Sequence, residues 1–386
     1  MDALTTPSNW QRVRLGDICE ITTGSLDANE MVHYGKYRFY TCAKEYYFID
    51  KYAFDTEAIL ISGNGAYVGY VHYYKGKFNA YQRTYVLDNF SEHIMFVKYF
   101  LTMFLQSHIQ TNRNEGNTPF IVMATLKDFE ILLPPLNEQI AIANILSGLD
   151  HYLYTLDALI LKKESVKKAL RIKMLNQILA SNGVEFRELG DIILSLKTGL
   201  NPRSFFKLNT PNANNYYVTI RELEDYTIKF THQTDRIDDN ALSLCLKRSN
   251  LEKDDILFSG TGTIGKVSII EKNPNNWAIK EGIYSIKPNK KIVFPRFLMF
   301  CLESSNIQND IKNKSFGGIV KSIPMNDLQQ IQIPLPPLNE QIAIANILNA
   351  LDKEIISLKN KKRQFENIKK ALNHDLMSAK IRVLRK

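Results

Sequence analysis

Two spacings of apolar residues divide this chain. Near its end Leu351, Ile355, Leu358, Phe365, Leu372, Leu376, Ala379 and Val383 advance in alternating steps of four and three, with Lys362 and Lys369 at the two positions the pattern skips. Such steps draw one apolar seam along a helix and predict a coiled coil with polar interruptions. An earlier run opens the same way with Leu149, Leu153, Leu156 and Ile160, then shifts phase to Val166 and Leu170. Elsewhere the apolar positions come in short β-rich clusters, "AILIS", "YVGYVHYY", "TYVLDN", "DILFS" and "KVSII", punctuated by Gly and Asn. These predict short strands joined by turns. "FVKYFLTMFLQSHI" and "PRFLMFCLESSNIQNDI" are the helix candidates among them.

Each seam is introduced by the same fourteen letters, "LPPLNEQIAIANIL", at residues 133–146 and 335–348. At the same offset of 202, Leu149 and Asp150 match Leu351 and Asp352, and "VKKAL" at 166–170 matches "IKKAL" at 368–372. Farther upstream "RLGDICEITTG" answers "ELGDIILSLKTG", and "ILISGNGAYVGYV" answers "ILFSGTGTIGKV". A period this long excludes a solenoid of stacked short repeats and means two domains of one kind. The expected fold is α+β: a mixed body at 1–135, a helical region at 136–182, a second body at 183–336 and a second helical region at 337–386. The double proline closes a strand and Asn137 and Glu138 open the helix. Two such helices would most simply bury their seams antiparallel and hold the bodies apart. An unbroken helix from Asn137 to Ala180 spans about 66 Å, against about 34 Å for one turn of DNA. The alternative is that both helices are core elements of a larger bundle.

Composition narrows the class without naming it. With 386 residues, 45% hydrophobic and 23% charged, the chain reads as globular. The first thirty residues lack the order of a signal peptide, and no apolar stretch approaches the ~20 residues that span a bilayer. A cytoplasmic location is expected. Cys19, Cys42, Cys245 and Cys301 lie too far apart for a zinc motif and are expected reduced and buried. The net charge of +9 is concentrated in two segments. Residues 351–386 hold eleven Lys or Arg against four Asp or Glu, and residues 150–180 hold six against three. That balance suits nucleic acid but does not select it. Thirteen of the nineteen tyrosines fall in the first hundred residues, so the duplicated bodies carry different surfaces.

Motifs for covalent chemistry fail on inspection. "GTGTIGK", Gly260 to Lys266, fits the letters of a P-loop, but Val267 stands where a magnesium-binding hydroxyl belongs and "KVSII" reads as strand where a helix should begin. The other half has Tyr70 in the lysine's place. "NTPF", Asn117 to Phe120, departs at Thr118 from the Asn-Pro-Pro-Phe of amino-methyltransferases. The histidines, His72, His93 and His232 among them, form no metal-binding spacing. No catalysis, cofactor or metal is expected on this chain.

Polar and basic loops with aromatic neighbours remain. The first body offers Thr23 and Ser25 in "TTGS", Asn64 and Tyr67 in "SGNGAY", Gln82 and Arg83 in "YQRT", and Arg113 and Asn117 in "NRNEGNT". The second offers Lys197, Asn201 and Arg203 in "KTGLNPRS", Thr261 and Lys266 in "SGTGTIGK", and Lys312 and Lys314 in "KNKSFGG". Arg and Lys take guanine, Asn and Gln take adenine, and hydroxyls and amides suit phosphates. Each loop alone is a solvated turn; recurrence at matched places makes the set a candidate DNA surface.

The doubled "LPPLNEQIAIANIL", the start "WQRVRLGDICEITTG" (Trp10 to Gly24) and the "SGTGTIGKV" turn resemble the specificity subunits of type I restriction-modification systems, over essentially the whole chain. The resemblance implies two target-recognition domains, each reading half of a bipartite site in double-stranded DNA, and an antiparallel coiled coil between the helical regions. It also implies docking of two methyltransferase subunits, which would bring S-adenosylmethionine, and of a restriction translocase where one exists. The docking candidates are Asn137, Glu138, Ile140 and Ile145 with their matches Asn339, Glu340, Ile342 and Ile347. If one partner docks twice, the tails must stay alike while the bodies diverge. The competing reading is a coiled-coil scaffold or adaptor that reads no bases.

Overall fold

The computed structural model describes residues 9–111, 119–180, 184–202, 205–318 and 320–383. They form two compact units, Met1–Asp157 with Lys361–Lys386, and Ala158–Asn360. The division falls inside both long helices, so each unit holds one body and a stretch of each helix.

In the first unit β1 (Gln11–Arg14) pairs antiparallel with β8 (Glu130–Leu133). The remaining strands, β2 (Glu20–Thr23), β3 (Tyr37–Tyr40), β4 (Tyr47–Ile49), β5 (Phe54–Ser62), β6 (Val71–Ala80) and β7 (Thr84–Asp88), form one sheet in the order β2-β7-β5-β6-β3-β4. Strand β5 is apolar at consecutive positions because both its faces are covered. Ile59 and Ile61 pack with Leu87 against Phe96 and Phe100 of helix α1 (Ile94–Thr111). Ala58 and Leu60 face the other way, onto Tyr40 and Phe78. A short α2 (Met123–Lys127) precedes β8.

The second unit repeats this plan. Strand β9 (Glu185–Glu188) pairs with β19 (Gln332–Leu335). One sheet has the order β10-β18-β15-β16, from β10 (Ile193–Thr198), β15 (Ile256–Ser259), β16 (Val267–Ile269) and β18 (Ile283–Pro288). A smaller sheet joins β11 (Asn215–Val218), β14 (Arg236–Ile237) and β17 (Trp277–Ile279), and β12 (Leu223–Glu224) forms a hairpin with β13 (Thr227–Ile228). Strands β3 and β6 run parallel in the first unit, as β11 and β17 do in the second. Helix α4 (Asp239–Ser249) belongs to the second unit alone. The match to α1 breaks into α5 (Pro295–Leu302) and α6 (Ser305–Asn313), and α7 (Met325–Gln329) answers α2.

The long helices are α3 (Leu136–Ala180) and α8 (Leu338–Met377). In the first unit Glu138 meets Arg382, Asp150 meets Lys369, Tyr152 meets Phe365 and Asp157 meets Lys362. In the second, Lys163 meets Glu354 and Lys167 meets Asp352. Numbers climb on one helix as they fall on the other, so the pairing is antiparallel in both units.

Two details of the expected seam are corrected. The first copy does not change phase: Val166 is 39% exposed, whereas Lys167 is buried. The heptad continues from Ile160 through Lys163 and Lys167 to Leu170, two cations in succession that hide it from a count of apolar letters. In the second copy the helix ends at Met377, and Ala379 adopts a left-handed φ of 58°. Ala379 and Val383 still pack on the first unit's core, but from a non-helical tail. Cys245 and Cys301 are buried as expected, Cys19 and Cys42 only partly, and all four are free thiols.

Candidate nucleic-acid interface

Between β6 and β7 the chain reverses in three residues, Tyr81, Gln82 and Arg83. The Thr84 amide donates to the Tyr81 carbonyl (2.8 Å), and the Tyr81 amide donates to the Tyr40 carbonyl (2.9 Å). The Gly63 amide holds the Arg83 carbonyl (2.8 Å), and the Tyr85 hydroxyl reaches the Ile121 carbonyl (2.9 Å). Glycine is required at two contacts here. A Cβ on Gly24 would lie 1.9 Å from the Ala80 carbonyl oxygen, and one on Gly63 would lie 2.3 Å from that of Arg83. Thr23, Gln82 and Arg83 thereby line one open cleft of 270 Å³ with Gly63, Tyr85 and Ile121. Gln82 and Arg83 are exposed, and among the described residues no carboxylate pairs with Arg83.

The surroundings extend this surface. The Gln82 amide donates to the Leu26 carbonyl (2.9 Å), which brings the exposed Ser25 alongside. The Cys42 thiol donates to the Arg83 carbonyl (3.3 Å), and nearby Lys44 places its Nζ 5.3 Å from the ring centre of Tyr67. Asn64 bridges to Phe120 across the Gly-rich turn. Burial pushes the His72 imidazole below its ordinary range, and its Nε2 donates to the Ala43 carbonyl (2.9 Å).

The second body has the same turn. Lys280, Glu281 and Gly282 join β17 to β18. The Ile283 amide donates to Lys280 (3.1 Å), the Lys280 amide to Val218 (2.9 Å), the Gly260 amide to Gly282 (2.8 Å) and the Tyr284 hydroxyl to Ile323 (2.7 Å). A Cβ on Gly199 would lie 1.9 Å from the Ile279 carbonyl oxygen, the counterpart of Gly24. The side chains differ, and so does the backbone at the third position: Tyr81 becomes Lys280, Gln82 becomes Glu281, and Arg83 becomes Gly282, whose φ is +87°. The exposed Glu281 is not among the expected residues, which are cations, amides, hydroxyls and a tyrosine. Its signal was the position of "KEG" between two strand-like runs.

Other expected residues scatter. Thr261 stands by this turn, its hydroxyl 3.3 Å from that of Ser322. Lys266, at the far end of the same Gly-rich segment, instead lines a 660 Å³ cavity with Lys167, Tyr226 and Asp352. Strand β16 follows it directly, which removes the P-loop geometry. Lys197 lies within β10, opposite Ser285, rather than in a loop. Asn201 is half-buried, and Lys312 and Lys314 close α6. Arg113, Asn117 and Arg203 lie outside the described residues. Among the described residues no cluster of His, Cys, Asp or Glu could hold a metal, and no helix is long and apolar enough to cross a membrane.

A family model, the type I restriction modification DNA specificity domain, matches residues 7–163 and again 181–367. The chain belongs to this family. Among its relatives, the specificity subunit of the type I restriction enzyme EcoDI from Escherichia coli is 38% identical over 182 residues, covering 46% of this chain and 37% of that one. The putative MjaX specificity subunit of Methanocaldococcus jannaschii is 31% identical over 319 residues, 80% of this chain and 70% of that one. In fold the chain is similar to the S subunit of M. genitalium, with a TM-score of 0.69 at 20% identity over 97% of both chains.

Within this type I specificity fold, the repeated tail divides into an inner and an outer face. Inward, Gln139 is buried: its Nε2 donates to the Pro134 carbonyl (2.9 Å) and to Glu92 (2.7 Å), and its oxygen accepts from the His93 amide (3.0 Å). Gln341 does the same with Pro336 (2.9 Å), Ile292 (3.2 Å) and the Phe294 amide (2.8 Å). Ile142, Ala143 and Leu146, like Ile344, Ala345 and Leu348, fill the two cores. Outward, Leu136, Asn137, Ile140 and Ile145 are exposed, as are Leu338, Asn339, Ile342 and Ile347. The glutamates break the symmetry. Glu340 is exposed, but Glu138 is buried at 2% and accepts from Nε and Nη2 of Arg382 (2.6 and 2.8 Å), which takes it out of the outer face.

Proposed function

We propose that this chain is the non-catalytic specificity subunit of a type I restriction-modification complex. Each body reads one half of a bipartite site in double-stranded DNA, and the outer faces of α3 and α8 dock two methyltransferase subunits. S-adenosylmethionine belongs to those partners, and a restriction subunit joins where the system has one. The observation that carries the reading is the contrast within each copy. The three-residue turn keeps its hydrogen bonds while its side chains change, and the outer helix face keeps apolar side chains that no core requires. An exposed apolar row kept identical in two places fits a partner used twice. Among the docking candidates, Ile140, Ile145, Ile342 and Ile347 have the accessibility the role demands; Glu138 does not.

Co-expression with the cognate methyltransferase, followed by mapping of modified bases on a plasmid, tests this directly. A split motif modified only when this chain is present supports the reading. A stable complex that modifies nothing in a sequence-dependent way supports the scaffold alternative. Ile140→Asp or Ile342→Asp should each release one methyltransferase copy, seen as a loss of mass from the assembled complex. Retention of both copies would move the docking surface elsewhere.

A further inference from the structure

Resting on that reading, we infer that the two three-residue turns are the base-reading elements and that they select opposite base chemistries. Arg83, with Gln82 beside it, takes a guanine in one half-site, and Glu281 takes the exocyclic amine of a cytosine in the other.

The main chain of both turns is engaged by the same hydrogen bonds, to Tyr40 and Gly63 in the first body and to Val218 and Gly260 in the second. What each turn can vary is its side chains. Arg83 presents an exposed guanidinium with no carboxylate partner among the described residues, and a guanidinium matches the O6 and N7 acceptors of guanine. The second turn cannot repeat this at the matched position, which is Gly282; its own exposed cation, Lys280, stands two residues earlier. Gly282 has φ +87°, a conformation that L side chains rarely adopt, and a Cβ there would lie 3.0 Å from the side chain of Thr261. The outward position passes to Glu281, exposed and without an ion-pair partner among the described residues. A carboxylate at a DNA surface is repelled by phosphates, so it is tolerated where it accepts from a base donor, and the cytosine N4 amine is the donor it fits. The two turns thus differ in charge: the first carries Arg83 as its one charged residue, and the second carries Glu281 beside the exposed Lys280.

The test is methylation by the full complex on plasmids carrying the site with each position randomised, for the unaltered chain, Arg83→Ala and Glu281→Ala. The expected result for Arg83→Ala is that one G·C position of one half-site becomes permissive, with discrimination there falling about tenfold or more, and the other half-site unchanged. Glu281→Ala should relax one C·G position in the opposite half-site only. Both side chains are exposed, so a thermal melt and recovery of the methyltransferase complex should match the unaltered chain. An unchanged motif, relaxation in both half-sites, or a uniform fall on every sequence would overturn the assignment; the last would mark a phosphate contact. Absence of any split motif with the unaltered chain would overturn the specificity reading itself and is told apart by that control.

Discussion

Asp150 and Asp352 occupy the same letter of the repeat, and so do their partners Lys369 and Lys167, yet the two pairs live in different surroundings. In the first unit Asp150 also accepts from the Tyr99 hydroxyl (2.6 Å) and lies 4.0 Å from Lys98. Burial pushes its carboxyl up, but the bonds from Lys369 and Tyr99 and the nearby cations outweigh this and hold it below the usual range. In the second unit Lys167 bonds Asp352 (2.5 Å) and the Tyr226 hydroxyl (2.7 Å), and Tyr226 in turn donates to Glu303 (2.5 Å), which Arg171 also holds (2.6 Å). Burial raises Asp352 more than Lys167 lowers it. The helices keep the same paired letters while each body fastens itself to them by its own means. Shared letters therefore fix the register of the coil, and local additions set how firmly each body is held to it.

Three pairs of substitutions probe how far this sameness runs. The largest effect is expected at Gly24 and Gly199. Alanine at either would drive a Cβ into a carbonyl oxygen that has no room to yield, costing at least about 3 kcal/mol in urea denaturation. Sensitivity at only one of them would mean that the two bodies close differently. Next come Gln139→Ala and Gln341→Ala, each leaving a buried amide and carbonyl unpaired, for about 2 kcal/mol apiece. A negligible loss at either would show that its helix start is held by the prolines alone. The smallest effect is a difference of sign. Asp150 is depressed in the fold, so its stabilisation is present above the ordinary carboxylate range and lost as pH falls through the folded value. Asp352 is raised, so its contribution is full at acid pH and lost as pH rises through the folded value. The cost of Asp150→Asn should therefore grow from pH 3 to pH 7, and that of Asp352→Asn should shrink. Parallel pH profiles would break the contrast.

Much of this was legible beforehand. The alternation of Ile59 and Leu60 between two covered faces follows from a run of apolar letters bounded by turns, and the helices follow from their heptads. Lys362 and Lys369 could be placed at the seam because apolar residues resume on schedule after each. Lys163 and Lys167 could not, since they fill two seam positions in a row and Val166 offers a false continuation. Gln82 and Arg83 could be chosen as candidates because cations and amides between strands suit DNA. Glu281 was not a candidate, because the likeness of its turn to that of Gln82 and Arg83 lies in hydrogen bonds between distant residues and leaves only the position of "KEG" between strand-like runs as a trace in the letters. Letters alone group Lys266 with Thr261; the structure sets Lys266 on the cavity lined by Lys167 and Asp352. The latch glutamines read as ordinary helix polarity; only burial reveals them as the fastening of helix to body.

The three-residue turns have a consequence for how such a protein changes. A reading element whose backbone is clasped by neighbouring strands can exchange a few codons without disturbing the fold that presents them. Taste and architecture are inherited separately, and a lineage can acquire a new target while its assembly with partners stays untouched.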